Sequence, residues 1–178
     1  VDFSIYTSEQ IEEIREMFVK TFTDSEGESE GRLIGDLTYD FMTSTKSEDL
    51  YGFVAMDDQK IVGGIFFSRL AFDNGTRAFI MAPVAVHTDF QGQGIGQKLI
   101  RYGLGKLKEE GIEIVVTYGD INFYSKVGFQ KITEDIIKAP LKLSYPEGWL
   151  AQSLLGNQLH PISGRTYCVE ELKKPEYW

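Results

Sequence analysis

Cysteine and histidine are almost missing from this chain of 178 residues: Cys168 is the one cysteine, and His87 and His160 are the only histidines. A single thiol closes no intrachain disulfide, so the signature of an oxidising compartment is absent. So few N and S donors exclude the usual zinc or copper site, and no metal is expected. Long apolar runs are lacking too, and no basic-then-apolar leader opens the sequence. A cytoplasmic protein with no membrane partner is the expectation. Positive charge is scarce, with 18 Lys and Arg against 27 Asp and Glu and a net charge of -9. Nothing here could neutralise a row of phosphates, which argues against a nucleic-acid partner. The acidic balance either favours a cationic small substrate or serves solubility alone.

What is present is ordinary for a globular chain, with 42% hydrophobic and 25% charged residues. The length suits one domain with one substantial core, and no internal repeat is visible. A single domain over residues 1–178 is expected. Its core would span 1–143, with a C-terminal helical turn and closing strand in 144–178.

The hydrophobic pattern predicts the elements in order. Residues 1–6 alternate as a strand. Ile11, Ile14, Met17, Phe18 and Phe22 then fall on one helical face. The acidic, glycine-bearing stretch 24–31 reads as a loop, and Leu33, Ile34, Leu37, Phe41 and Met42 mark a second helix. Residues 50–56 and 61–72 form a hairpin around Asp57-Asp58-Gln59-Lys60, and 78–86 a further strand. A long helix covers about 94–110, with Gly111 as its cap. Residues 112–118 read as a buried strand, 122–127 as a short helix, 130–143 as mostly extended, 149–155 as a helical turn and 165–169 as a closing strand. The sum is an α/β fold with a mixed sheet. Phe53, Phe66, Phe67, Phe72 and Phe79 are expected in its core rather than around a substrate.

The most informative residues are Gln91-Gly92-Gln93-Gly94-Ile95-Gly96, between a strand and the long helix. Glycine at alternate positions lets backbone N–H groups turn inward and approach a ligand closely. The helix that follows adds unpaired N–H groups and a positive dipole end. Together they form an anion site suited to a pyrophosphate. Two other phosphate loops fail on spacing. A dinucleotide fingerprint starting at Gly92 needs glycine where Gln97 stands, and a Walker loop ending at Gly105-Lys106 needs glycine where Ile100 stands.

Gln91–Gly96 resembles the Gln/Arg-x-x-Gly-x-Gly/Ala loop of the GNAT acyltransferase superfamily. Further on, Asn122-Phe123-Tyr124-Ser125-Lys126-Val127-Gly128-Phe129 is similar to that family's aromatic-Tyr-x-x-x-Gly-Phe motif. The acidic segment 24–31, Gly119-Asp120 and residues 149–156 resemble, more narrowly, a small bacterial branch of N-acetyltransferases. The chain departs from the family at Thr88, where proline is frequent, and in placing Asn122 closer to the tyrosine than many members do.

The resemblance implies a mostly antiparallel mixed sheet, splayed into a V between its fourth and fifth strands and flanked by helices on both faces. It implies acetyl-CoA as co-substrate, bound by the main chain of Val84, Ala85 and Val86, by Gln91, Gly92, Gln93, Gly94, Ile95 and Gly96, and by Asn122. The acetyl group would pass by direct attack to a primary amine of a small molecule or peptide, with Tyr124 as general acid to the leaving thiolate. A tyrosine that only packs or positions the sulfur is the alternative. Asp24, Glu26, Glu28 and Glu30 are the candidates for the acceptor side, against a plain solvated loop. His87 is read as structural before catalytic. A non-catalytic acyl-CoA sensor is the rival function, and the protein is expected as a monomer or homodimer.

Overall fold

Strands β3 (Lys60–Phe72) and β4 (Arg77–Val86) each run through both of the units into which the chain divides. The computed structural model describes every residue from Val1 to Trp178. Val1–Phe67 with Pro83–Gly103 form the first unit; Ser68–Ala82 with Leu104–Trp178 form the second. The remaining strands are β1 (Asp2–Ile5), β2 (Leu50–Asp57), β5 (Ile114–Tyr118), β6 (Gln130–Lys131), β7 (Trp149–Ser153) and β8 (Thr166–Tyr167). They hydrogen-bond in the order β1-β2-β3-β4-β5-β7-β6, with β8 on β3. β4 and β5 pair parallel, while β1–β2, β3–β8, β5–β7 and β6–β7 are antiparallel. The expected mixed, mostly antiparallel sheet is present.

In the first unit, helix α1 (Ile11–Glu26) buries Ile14, Met17, Phe18 and Thr21, and α2 (Glu28–Ser44) buries Ile34, Leu37, Thr38 and Phe41. Both sets follow the three-and-four spacing of one helical face. Helix α3 (Ile95–Glu109) is the third long helix. A side chain at Gly64 would meet Phe18 of α1, whereas one at the adjacent Gly63 would meet Leu99 of α3. Neighbouring strand residues face opposite ways, so α1 and α3 cover opposite faces of β3. That cover explains why Ile61–Ser68 are buried without alternation. Phe53, Phe66 and Phe67 lie in this core, with Phe66 packed 5.9 Å from Phe18 and 5.9 Å from Phe41. The hairpin turns at Asp58 and Gln59, whose φ values of 48° and 66° suit a two-residue connection.

In the second unit the β4–β5 ladder runs from Ala78–Ile114 to Met81–Thr117. The Thr117 hydroxyl donates to the Met81 carbonyl at 2.7 Å where that ladder ends. β4 continues to Val86 past the last pair, as the expected V requires. Phe72 and Phe79 are buried.

Three expectations are corrected. Residues 149–155 are not a helical turn: Trp149–Ser153 is strand β7, paired with β5 on one side and β6 on the other. Residues 144–178 therefore supply an interior strand and are no appendage to a core ending at 143. Trp149, Leu150 and Ala151 are all fully buried, so they show no alternation, and a short apolar run does not separate strand from helix. The stretch 24–31 is not a loop. α1 continues to Glu26, Gly27 turns the chain at φ 99°, and α2 starts at Glu28. Acidic residues suit the first turn of a helix, which is where Glu28 and Glu30 stand. Of residues 130–143, only Gln130–Lys131 is strand.

Candidate functional site

The loop ahead of α3 is held at both ends and open in the middle. Ile95, Leu99 and Ile100 are buried and fix the helix. Gly92 and Gly94 have φ values of 79° and 81°, and a Cβ on either would meet nothing within 4 Å. Space is not what selects glycine there; the left-handed backbone is. Alternating backbone hands turn successive N–H groups to one side, as a concave anion seat. The Lys98 N–H donates to the Gly94 carbonyl at 3.1 Å. The N–H groups of Ile95, Gly96 and Gln97 therefore lie in the helix's first turn, where no intrahelical acceptor exists.

Four bonds fix the approach to this loop. The His87 N–H donates to the Val62 carbonyl at 2.7 Å, and Phe90 N–H to the His87 carbonyl at 2.8 Å. Nδ1 of His87 accepts from the Asp89 N–H at 3.1 Å, and Nε2 of Gln91 donates to the Val86 carbonyl at 2.9 Å. His87 is buried and lies edge-on to Phe90, which gives it a structural task. The preceding residues Val84, Ala85 and Val86 end β4, with Ala85 buried.

The acidic residues divide by partner. Asp24 accepts from the Thr88 hydroxyl at 2.6 Å and from Lys20 at 3.0 Å, and these two bonds, Thr88 first, hold its carboxyl below the usual range. Glu28 pairs with Arg32 one turn on. Glu30 is half-buried; burial first, then the charge of Glu26, pushes its carboxyl up. The Thr88–Asp24 bond joins the acidic segment to the glycine loop's approach, a link that no spacing in the sequence announces.

The tyrosine motif folds by itself in the second unit. Asp120 caps the short helix α4 (Ile121–Tyr124) by accepting from the Asn122 N–H at 2.9 Å. Asn122 is exposed on that turn. Gly128, at φ 96°, ends the turn that follows, and the Phe129 N–H returns to the Tyr124 carbonyl at 3.2 Å. The Tyr124 ring stands edge-on to Phe123 at 5.0 Å and to Phe129 at 5.9 Å. Burial, and after it the charge of Asp120, pushes the Tyr124 hydroxyl above its ordinary value of 10.0. Gly119 was not singled out as a site residue by sequence. A Cβ there would sit 2.7 Å from Cε2 of Tyr124.

Val84–Val86, Gln91–Gly96 and Asp24–Glu30 thus belong to the first unit, and Asn122 and Tyr124 to the second. No group of three His, Cys, Asp or Glu residues is placed to hold a metal ion. No helix is long and apolar enough to cross a membrane.

Comparison with known proteins points to the GNAT acetyltransferases. Residues 48–131, which include the glycine loop and Tyr124, match the model of the acetyltransferase (GNAT) domain. YhbS of Escherichia coli, described as an uncharacterized N-acetyltransferase, is 36% identical over 108 residues, or 59% of this chain and 60% of its own length. YjhQ of the same organism, described likewise, is 26% identical over 174 residues, covering 94% of this chain and 92% of its own. The crystal structure of YhbS in complex with CoA matches with a TM-score of 0.80 at 25% identity, over 98% of this chain and 92% of that one. A GNAT acetyltransferase of Brucella melitensis in complex with acetyl-CoA shares the fold, with a TM-score of 0.75 at 22% identity over 97% of each chain. Residues 48–131 of the chain thus carry a GNAT acetyltransferase domain, and the chain is similar along most of its length to bacterial N-acetyltransferases.

Proposed function

We propose that this protein transfers the acetyl group of acetyl-CoA to a primary amine of a small molecule or peptide. The observation that carries this reading is the left-handed pair Gly92 and Gly94 running into the first turn of α3, within a stretch that matches the GNAT domain. Main-chain N–H groups of residues 92–96 hold the diphosphate of the cofactor, while the Gln91 side chain braces Val86. The backbone of Val84, Ala85 and Val86 bonds the pantetheine arm as an added strand would. That YhbS was crystallised with CoA supports the assignment.

The amine attacks the thioester carbonyl carbon directly, and the C–S bond breaks as the tetrahedral adduct collapses. The departing thiolate takes the proton of the Tyr124 hydroxyl. A raised tyrosine pKa makes that donation harder, but the partial burial that raises it also disfavours a thiolate beside the ring and so favours the transfer. Asn122, exposed beside the tyrosine, is available to the cofactor. On the acceptor side, Asp24 and Glu28 already have partners. That leaves Glu26 and Glu30 to meet the ammonium, and Glu30, the more easily protonated, to take its proton.

Release of free thiol from acetyl-CoA across an amine panel tests the proposal. Turnover with at least one amine, lowered in Tyr124→Phe, is expected. Tight binding of acetyl-CoA with no thiol release from any amine would instead make the protein an acyl-CoA sensor.

A further inference from the structure

Between Phe90 and Ile95 the glycine loop sends no buried side chain into the core: Gln91, Gly92, Gln93 and Gly94 are all exposed. Its pose is therefore set from its two ends. At the far end Ile95 is buried. At the near end, His87 and Gln91 tie the turn back to β3 and β4. Those bonds fix where the turn starts. The Thr88 hydroxyl makes a contact of a different kind. It reaches across to Asp24, in the last turn of α1.

α1 is a firm support for such a contact, because Ile14, Met17 and Phe18 root it in the core. Asp24 itself is held from two sides, since Lys20 donates to the same Oδ2 atom that Thr88 uses. A carboxylate near an anion-binding loop opposes the anion by charge alone. Lys20 offsets the charge of Asp24 within α1, and the Thr88 bond gives the carboxylate a geometric role at the turn.

We infer that Asp24 and Thr88 form a bracket between α1 and the Thr88–Phe90 turn that sets the pose of the diphosphate loop, which makes both of them positioning residues for coenzyme A. The inference rests on the proposed cofactor. It moves Asp24 from the acceptor's side of the reaction to the cofactor's.

Calorimetric titration with CoA tests the bracket in the wild type, Thr88→Val, Thr88→Ser, Asp24→Ala and the Thr88→Val/Asp24→Ala double variant. A hydrogen bond to a charged group, partly exposed as this one is, sets the expected loss at about 3- to 10-fold in CoA affinity for Thr88→Val and for Asp24→Ala. Thr88→Ser keeps the hydroxyl and should bind as wild type does. The double variant should be no weaker than the weaker single one, because both remove one bond. Urea midpoints of the unliganded variants should fall by no more than the loss of a surface hydrogen bond or ion pair, a limit that a general packing defect would exceed. Unchanged CoA affinity in both single variants overturns the bracket, as do fully additive losses. A loss in Asp24→Ala alone also overturns it. A wild type that takes up no CoA overturns the cofactor assignment itself, an outcome distinct from all of these.

Discussion

A methyl group on Gly119 would stand 2.7 Å from Cε2 of Tyr124, closer than carbon atoms can pack. The backbone has little room to retreat, because the Gly119 N–H donates to the Gly148 carbonyl at 2.9 Å. The absence of a side chain at Gly119 therefore leaves the room that the Tyr124 ring occupies. Losing a general acid costs about 10²- to 10⁴-fold in rate, so Tyr124→Phe should lower kcat by that order while CoA affinity holds. Gly119→Ala should lower kcat in the same direction by displacing the ring. Thiol-release kinetics check both. A Gly119→Ala enzyme as fast as wild type would show that the position of the ring does not limit the reaction.

The pH profile carries a sign. Burial and Asp120 both favour the neutral Tyr124 hydroxyl and raise its pKa above 10.0. A general acid works while protonated, so the part proposed for Tyr124 would persist through neutral pH and be lost only as pH rises past that raised value. kcat should show no alkaline limb below pH 10 that disappears in Tyr124→Phe. Such a limb would mean that the hydroxyl ionises far more easily than its surroundings imply.

Two glycines of the helices should respond to alanine in opposite directions. A Cβ at Gly35 of α2 would lie 2.2 Å from Cγ2 of Val19 in α1, whereas one at Gly105 of α3 would meet nothing within 4 Å. Overpacking costs about 1–3 kcal/mol, and alanine gains about 0.5–1 kcal/mol over glycine in a helix interior. Gly35→Ala should lower the urea midpoint and Gly105→Ala should raise it. Equal shifts of one sign would contradict the close crossing of α1 and α2.

Cys168 has no part in the proposed chemistry. Burial pushes its thiol up to about 11, so the reactive thiolate is scarce at neutral pH. Iodoacetamide should label the native protein at pH 7 far more slowly than the urea-unfolded protein, and Cys168→Ser should turn over as wild type does. Rapid native labelling would contradict the burial.

The sequence made the turn ahead of α3 legible because glycine has a backbone meaning that neighbours do not change: Gly92 and Gly94 stand in the left-handed region, while Gly96 lies within the helix. α1, α2 and α3 were legible from one-sided burial. Strand β7 was not, since Trp149, Leu150 and Ala151 are buried on both faces and carry no period. The acidic junction misled for another reason. Glu and Gly together suggest a loop, yet one residue, Gly27, suffices to turn α1 into α2. Two site relationships, Thr88 with Asp24 and Gly119 with Tyr124, depend on side chains meeting in space and leave no local trace.

The measurement that bears most directly on the cofactor loop is calorimetric titration of the wild type and Gly94→Ala with CoA. The wild type should take up one CoA per chain. A non-glycine residue in the left-handed region costs about 1–2 kcal/mol, which corresponds to roughly tenfold weaker binding in Gly94→Ala. No uptake by the wild type, or uptake that Gly94→Ala leaves untouched, would contradict a diphosphate seat made of main-chain N–H groups at residues 92–96.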